Sequence, residues 1–318
     1  MSSRALDVAG IADPRLRSAF EECRRLNARY GRTYYLASRL LPAAKRPYVW
    51  ALYGFARKAD EFVDSLTAPD PQQLLTWSSA FLDSLDAGEP EDPVALAMHH
   101  TMRRWGIPRA HVEAFVESMQ MDIAVTGYPT YADLEHYMYG SAAVIGLQML
   151  PVLEPETPQA AARARALGEA FQMTNFIRDV GEDLVRGRVY LPEEDLETFG
   201  VTRQALGRGV VTPPIRELLK FEIERTRALY AFAAPGIDML HPTSRECVRT
   251  AYRLYSGILR EVELAGYQVL TQRVAVPLLR RLGVALPAMA RAAATRRRHR
   301  GHTAPVTAAD NPRQGGQG

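Results

Sequence analysis

Two cysteines in 318 residues, Cys23 and Cys247, leave no disulfide framework and follow no metal or redox spacing. They fit a reducing cytoplasm, with both thiols read as buried. No apolar run reaches the ~20 residues needed to span a bilayer. The longest candidate, Ser141 to Leu153, is too short and contains Gln148 and Pro151. Residues 1–30 are polar and charged without an apolar h-region, so no signal peptide is expected. The seven histidines offer no triad. His99 and His100 sit with Arg103 and Arg104 on what reads as an exposed helix, and His136 beside Tyr137 has no partner serine or cysteine. G-x-S-x-G, H-E-x-x-H, C-x-x-C and G-x-G-x-x-G are all missing. Their absence argues against serine hydrolase, zinc protease, redox and dinucleotide chemistry.

Sustained period-two alternation is also lacking, and most windows carry helical spacing, which makes the chain all-α. Helices are expected over roughly 14–29, 44–66, 71–87, 92–105, 109–126, 130–150, 157–186, 213–233, 243–264 and 271–292. Linkers are short and no composition shift divides residues 1–294, so they read as one domain. The formal charge of +3 is uneven. From Thr295 onward there are five Arg and one Asp, so this tail carries +4 and the body −1. The body gives no reason to expect nucleic-acid binding. Residues 295–318, rich in Arg, Gly, Pro and Gln, read as a disordered basic tail. Gln268 to Arg291 mixes apolar residues with Arg273, Arg280 and Arg281. A solvated basic end is the default reading there, and weak contact with an anionic membrane surface is the alternative.

What is present is acid at helical spacing. In residues 172–192 a helix puts Asn175, Asp179 and Asp183 one turn apart on one side, and Gln172 joins them at roughly 100° per residue. Phe176, Ile177, Val180 and Leu184 form the adjoining apolar arc. The acidic stripe therefore borders the greasy face, where a solvated stripe would lie opposite it. Like charges at this spacing repel, and a cation is the simplest relief. Carboxylate and amide oxygens without Cys or His suit Mg²⁺, which prefers few protein carboxylates plus phosphate oxygens.

A second copy occupies residues 57–64. Asp60 and Asp64 are one turn apart, with Arg57 and Tyr53 on the same stripe and Leu52, Phe55, Ala59 and Phe62 beside it. Two such helices facing across a cavity would hold Mg²⁺ ions bridged by diphosphate. A simple Arg57–Asp60 ion pair is the alternative. Gly31 permits a sharp turn from which Arg32 and Thr33 could reach phosphate oxygens, and a plain loop arginine is the alternative. Met119, Met121, Tyr128, Tyr131, Tyr137 and Tyr139 form a soft aromatic patch, read either as core or as the wall of a site that stabilises a carbocation. Gly140, Ser141, Ala142, Ala143 and Gly146 allow close helix packing or leave room for a long chain.

These stretches resemble the squalene/phytoene synthase family, and most closely its bacterial phytoene synthases. The resemblance is carried by Tyr-Tyr-Leu-Ala-Ser-Arg-Leu-Leu-Pro (34–42), Ala-Leu-Tyr-Gly-Phe-Ala-Arg-Lys-Ala-Asp-Glu-Phe-Val-Asp (51–64), Tyr-Met-Tyr-Gly-Ser-Ala-Ala-Val-Ile-Gly (137–146), the 172–192 stretch ending Gly-Arg-Val-Tyr-Leu-Pro, and Tyr-Ser-Gly-Ile-Leu (255–259). It implies a single-domain isoprenoid synthase-type helical bundle around a central cavity.

The activity implied is head-to-head joining of two geranylgeranyl diphosphates to phytoene through prephytoene diphosphate, in carotenoid biosynthesis. Mg²⁺ or Mn²⁺ is the implied cofactor, held by Asp60, Asp64, Asn175, Asp179 and Asp183, with no NADPH. Arg32, Thr33, Arg57, Arg178 and Arg188 would contact diphosphate. Tyr53, Tyr137, Gln172 and Tyr255 match positions that line the reaction centre. The family often carries His where this chain has Tyr30, on a flap over the diphosphate. Two alternatives stand beside this one. The first is a squalene, presqualene diphosphate or dehydrosqualene synthase using farnesyl diphosphate. The second is a non-catalytic, membrane-associated assembly factor of the same fold. The expected location is cytoplasmic, peripheral at most on the inner face of the membrane.

Overall fold

The structure, a computed structural model, describes residues 2–64 and 70–299, with side chains over 4–63 and 70–299. Fifteen α-helices run in order among them. They are α1 (Ser2–Val8), α2 (Pro14–Tyr30), α3 (Arg32–Ser38), α4 (Arg46–Asp64), α5 (Pro71–Ala87), α6 (Pro93–Trp105), α7 (Arg109–Ala124) and α8 (Tyr131–Met138). There follow α9 (Val144–Leu153), α10 (Ala160–Val185), α11 (Glu193–Thr198), α12 (Arg203–Gly207), α13 (Pro213–Ala233), α14 (Pro242–Leu264) and α15 (Leu278–Arg298). Among the described residues there is no strand, only the isolated bridges Gly127–Val189 and Pro155–Leu240.

Helix starts follow a repeated local rule. Asp13-Pro14, Asp70-Pro71 and Asp92-Pro93 each put a carboxylate before a proline at the first helical position. The carboxylate accepts the orphan amides of Leu16 (2.7 Å), Gln73 (2.9 Å) and Ala95 (3.0 Å). Thr130 and Asp133 form a reciprocal capping box at the start of α8.

Helix α10 is the centre of the bundle, packed against α9, α13 and α14. One buried apolar cluster joins α2, α4, α5, α6 and α7 on its N-terminal side, and a second joins α10, α13 and α14. Glycines set the closest crossings. A Cβ on Gly168 would lie 2.4 Å from the Ala142 carbonyl oxygen, and one on Gly146 2.4 Å from that of Ala164. A Cβ on Gly54 would meet the Cys23 sulfur at 2.9 Å, so α2 and α4 touch backbone to side chain.

Several expectations change in three dimensions. The segment around Gly31 is not a free loop, because α3 follows it directly. Gly31 has an ordinary negative φ, and its reason is contact: a Cβ there would lie 2.5 Å from the Tyr53 ring. The expected helix 130–150 is interrupted by a π turn at Tyr139–Ala143. Helix α6 is not exposed: Val94 through His99 are all buried, and the His100 ring packs edge-on against Phe20 and stacks on Tyr48. A run of apolar residues on every side of the helix was the signal for a central helix there. The last helix begins at Leu278, not near residue 271, and runs to Arg298, past the expected start of the tail. Residues 300–318 of that tail, and Leu66 at the expected end of α4, lie outside the described residues.

Both cysteines are buried and unpaired, as expected. Burial pushes the Cys247 thiol up to about 12 and that of Cys23 higher still, so both are inert at neutral pH.

Candidate active site

The two acidic helices face one cavity of about 710 Å³. Asp60 of α4 and Gln172, Asn175, Asp179 and Asp183 of α10 all line it. Arg32, Thr33, Tyr53, Arg57, Tyr137, Arg178 and Tyr255 line it too, so the structure brings together twelve of the residues anticipated from sequence. Two stand apart. Asp64 closes α4, but its side chain lies outside the described residues. Arg188 is not among the cavity's lining residues. Its guanidinium donates at 2.8 Å to the carbonyl oxygen of Asp122, itself a lining residue.

The carboxylates of the two acidic helices that line the cavity each have an arginine beside them. Arg57 donates to Asp60 at 2.5 Å, the pairing weighed from the sequence as the alternative to metal binding. Arg178 grips Asp179 with both arms of its guanidinium, one of them at 2.7 Å. Arg273 approaches the same carboxylate at 3.3 Å, and Arg186 lies 3.6 Å from Asp183. The pairs offset the like-charge repulsion of the stripes without closing the site. Arg57 Nε, Arg186 Nε and Asn175 Oδ1 are buried with no hydrogen-bond partner. A buried, unsatisfied polar atom costs about 1–3 kcal/mol, so these atoms are poised for a ligand.

Arg273 arrives by a route the sequence hid. Between α14 and α15 an irregular strap crosses α10 at Gly181, whose N–H donates to the Val269 carbonyl at 3.2 Å. A Cβ on Gly181 would lie 2.2 Å from the Leu270 carbonyl oxygen. Only glycine therefore fits between Asp179 and Asp183. The strap then lays Arg273, Val274, Ala275 and Val276 along the cavity.

Aromatic rings form two further walls. On one side Phe176 stacks on Tyr190 at 4.3 Å, and Tyr137 lies 5.7 Å from Tyr190. The Tyr137 and Tyr190 hydroxyls donate to the buried Asp122 carboxylate at 2.8 and 3.1 Å. Burial and that carboxylate push the Tyr137 hydroxyl well above the ordinary tyrosine range, so it stays protonated. On the other side Tyr34 lies 5.0 Å from Tyr255, which lies 4.6 Å from Phe171. Tyr30, in the place where histidine was anticipated, puts its ring 4.5 Å from the Arg57 guanidinium. The aromatic patch read from sequence divides here. Met119 and Tyr137 line the cavity, Tyr128 sits behind Tyr137, Tyr139 is exposed, and Tyr131 packs under Arg225.

A second cavity, about 300 Å³ and almost wholly apolar, adjoins the first. Tyr34, Tyr53, Ala56, Ser141, Gln172 and Asn175 line both. Small residues of the π turn and α9 (Ala142, Gly146) and of α10 (Ala164, Gly168) keep it open, while Gly146 and Gly168 also allow the close crossings. Both readings of the small-residue stretch therefore hold. The arrangement offers a polar chamber for an anionic head and a greasy one for a chain.

Among the described residues, no group of three His, Cys, Asp or Glu side chains is close enough to hold a metal alone. The donors nonetheless suit a hard cation that shares its shell with phosphate. They are oxygens, they line one chamber, and the Asn175 Oδ1 acceptor is unused.

Asp122, Tyr34, Tyr190, Glu182, Arg186, Arg273 and Arg281 also line the cavity and were not anticipated. Asp122 has no acidic neighbour at helical spacing to mark it. Tyr190 stands in the Gly-Arg-Val-Tyr-Leu-Pro run with no acidic or basic pattern of its own to mark it.

Comparison with known proteins fits this geometry. The family model for squalene/phytoene synthase matches residues 27–280. Phytoene synthase of Arthrospira platensis is 38% identical over 274 residues, covering 81% of this chain and 88% of that protein. The 15-cis-phytoene synthase of Synechococcus elongatus is 38% identical over 291 residues, covering 87% and 94%. Among solved structures, a dehydrosqualene synthase in complex with ligand superposes with a TM-score of 0.80 at 27% identity, covering 86% of this chain and 96% of that one. A squalene synthase from Alicyclobacillus acidocaldarius gives 0.73 at 27% identity, covering 82% and 98%. With its two aspartate helices turned to one chamber and this match along most of its length, the chain belongs to the squalene/phytoene synthase family.

Proposed function

We infer that the protein is a phytoene synthase, a prenyltransferase that joins two geranylgeranyl diphosphates head to head. The observation that carries this is the pairing of chambers: a carboxylate- and arginine-lined cavity opening onto an apolar one. Relatives at 38% identity over most of the chain are also phytoene synthases.

The chemistry follows from the residues. Breaking an allylic C–O bond requires the departing diphosphate's charge to be held. Arg57, Arg178 and Arg273 supply fixed positive charge at the cavity, and Arg32 with Thr33 extends it at the start of α3. Asp60, Asn175, Asp179 and Asp183, with Asp64, would hold Mg²⁺ or Mn²⁺, which neutralises the diphosphate as a Lewis acid. Asp179 would then exchange part of its pairing with Arg178, which frees that guanidinium for phosphate.

The allylic cation needs a dry site with electron-rich surfaces. Leu254, Ile258, Val274 and Val276 supply apolar lining for this. The faces of Tyr34, Tyr53 and Tyr255 meet positive charge through their ring quadrupoles. Tyr137, held protonated on Asp122, is a fixed donor and not a base. The cation attacks the double bond of the second substrate and closes a cyclopropane, giving prephytoene diphosphate with loss of diphosphate and a proton. Ionisation and rearrangement of that intermediate give phytoene by loss of the second diphosphate and another proton. No reductant is needed. The departing diphosphate is the proton acceptor in this scheme.

Among the described residues no helix is long and apolar enough to cross a membrane. Contact with a membrane surface belongs to the same reading, because the product is a hydrocarbon with no place in water.

The test is a product assay with Mg²⁺ and either geranylgeranyl or farnesyl diphosphate. Phytoene from the C20 substrate is expected. A hydrocarbon from farnesyl diphosphate alone would replace this assignment with the squalene-type one.

A further inference from the structure

Helix α15 is built inside out. Its buried positions are all alanine: Ala285, Ala288 and Ala292. Its bulky apolar side chains face outward: Leu278 is 65% exposed, Leu279 83%, Leu286 61%, and Leu282 and Met289 are exposed as well. At roughly 100° per residue these five fall within one arc of about 100°. A surface helix in water would turn that stripe to the core, so a contiguous patch of this kind marks a partner.

Charge identifies the partner. From Leu264 to His299 there is no acidic residue, and the stretch holds Arg273, Arg280, Arg281, Arg291, Arg296, Arg297 and Arg298. Arg280 and Arg291 are tied to Glu261 and Glu246 of α14, which fixes the helix with its apolar stripe outward. Arg297 and Arg298 stand exposed at its far end. A second copy docking through this face would bring the same arginines against each other across a twofold axis. An anionic lipid surface meets both the apolar stripe and the positive charge.

We propose that the exposed face of α15 seats the protein on an anionic bilayer, with Leu278, Leu279, Leu282, Leu286 and Met289 entering the boundary between headgroups and acyl chains. The helix starts directly after the strap whose Arg273, Val274 and Val276 line the reaction chamber, and its own Arg281 lines that chamber too. Docking therefore sets the chamber's strap side against the lipid, where an apolar product leaves without crossing water. That last consequence rests on the phytoene synthase reading; the docking itself does not.

Vesicle co-sedimentation of the full chain tests it, without substrate. One set of vesicles is phosphatidylcholine alone and the other contains about 30% phosphatidylglycerol. Binding to the mixed vesicles is expected, weakened by salt. The triple variant Leu279→Gln, Leu282→Gln, Leu286→Gln should lose affinity by about tenfold or more, with its circular dichroism and its turnover of detergent-dispersed substrate unchanged. Equal binding by variant and parent would overturn the proposal. So would a concentration-dependent dimer in light scattering that the triple variant abolishes, since the stripe would then belong to a second copy. If the vesicles bind but the C20 assay fails, the docking stands and the functional reading falls.

Discussion

Two of the carboxylate–arginine clusters among the described residues behave differently. In the first, Asp60, Asp179 and Asp183 meet Arg57, Arg178, Arg186 and Arg273 around an open chamber. In the second, Arg225 bridges Asp195 of α11 and Glu222 of α13. Its two arms reach the Asp195 oxygens at 2.6 and 3.2 Å, and one of them also meets Glu222 at 3.0 Å. Its guanidinium then lies 4.1 Å from the centre of the Tyr131 ring. The second cluster closes on itself and joins helices. The first leaves an amide oxygen and two guanidinium nitrogens buried without partners beside about 710 Å³ of space. The same residue types thus serve structure or chemistry according to whether their valences are used up.

That contrast can be broken by substitution. Asp179→Asn keeps shape and removes one charge, so turnover should fall by about a thousandfold while the thermal midpoint stays close to the parent's. A steady-state product assay beside a melting curve separates the two readouts. Arg225→Ala should do the reverse. It strands two buried carboxylates and costs about 3–5 kcal/mol in urea unfolding, with activity per folded molecule retained. Loss of activity at full stability would place the second cluster in the chemistry.

A smaller effect concerns pH. Burial pushes the Glu222 carboxyl up to about 8, with Asp195 adding to the rise and Arg225 opposing it. A carboxyl raised in the folded state binds a proton there that the unfolded chain has already released. The stability it contributes is complete below the ordinary carboxylate range and is lost as pH rises toward 8. Glu222→Gln cannot ionise. Its thermal midpoint relative to the parent should therefore improve between pH 5 and pH 8, and a gap independent of pH would contradict the assignment.

Much of this was legible in the chain. The helical period gave the fold class, and the four-residue spacings Asp60–Asp64 and Asn175–Asp179–Asp183 beside apolar arcs gave the chamber's main donors. The rest depended on tertiary placement. Asp122 reads as an isolated acid on α7, and only packing brings the Tyr137 and Tyr190 hydroxyls to it. Arg273 reads as part of a basic helix, yet the backbone there is irregular because it must cross α10 at Gly181. Arg188 has the composition of a phosphate ligand, and only packing shows that its guanidinium also donates to the Asp122 backbone carbonyl. His99 was misread for a simpler reason: its apolar neighbours run all the way round α6, a pattern that already meant burial.

The central claim is that α4 and α10 act together on one diphosphate through divalent cations. Crystals grown with Mn²⁺ and inorganic diphosphate test it by anomalous scattering. Manganese peaks between Asp60 and the Asn175–Asp179–Asp183 stripe, bridged by diphosphate and lost in Asp179→Asn, are the predicted result. Manganese bound elsewhere, or diphosphate held by the arginines with no metal between the two helices, would contradict it.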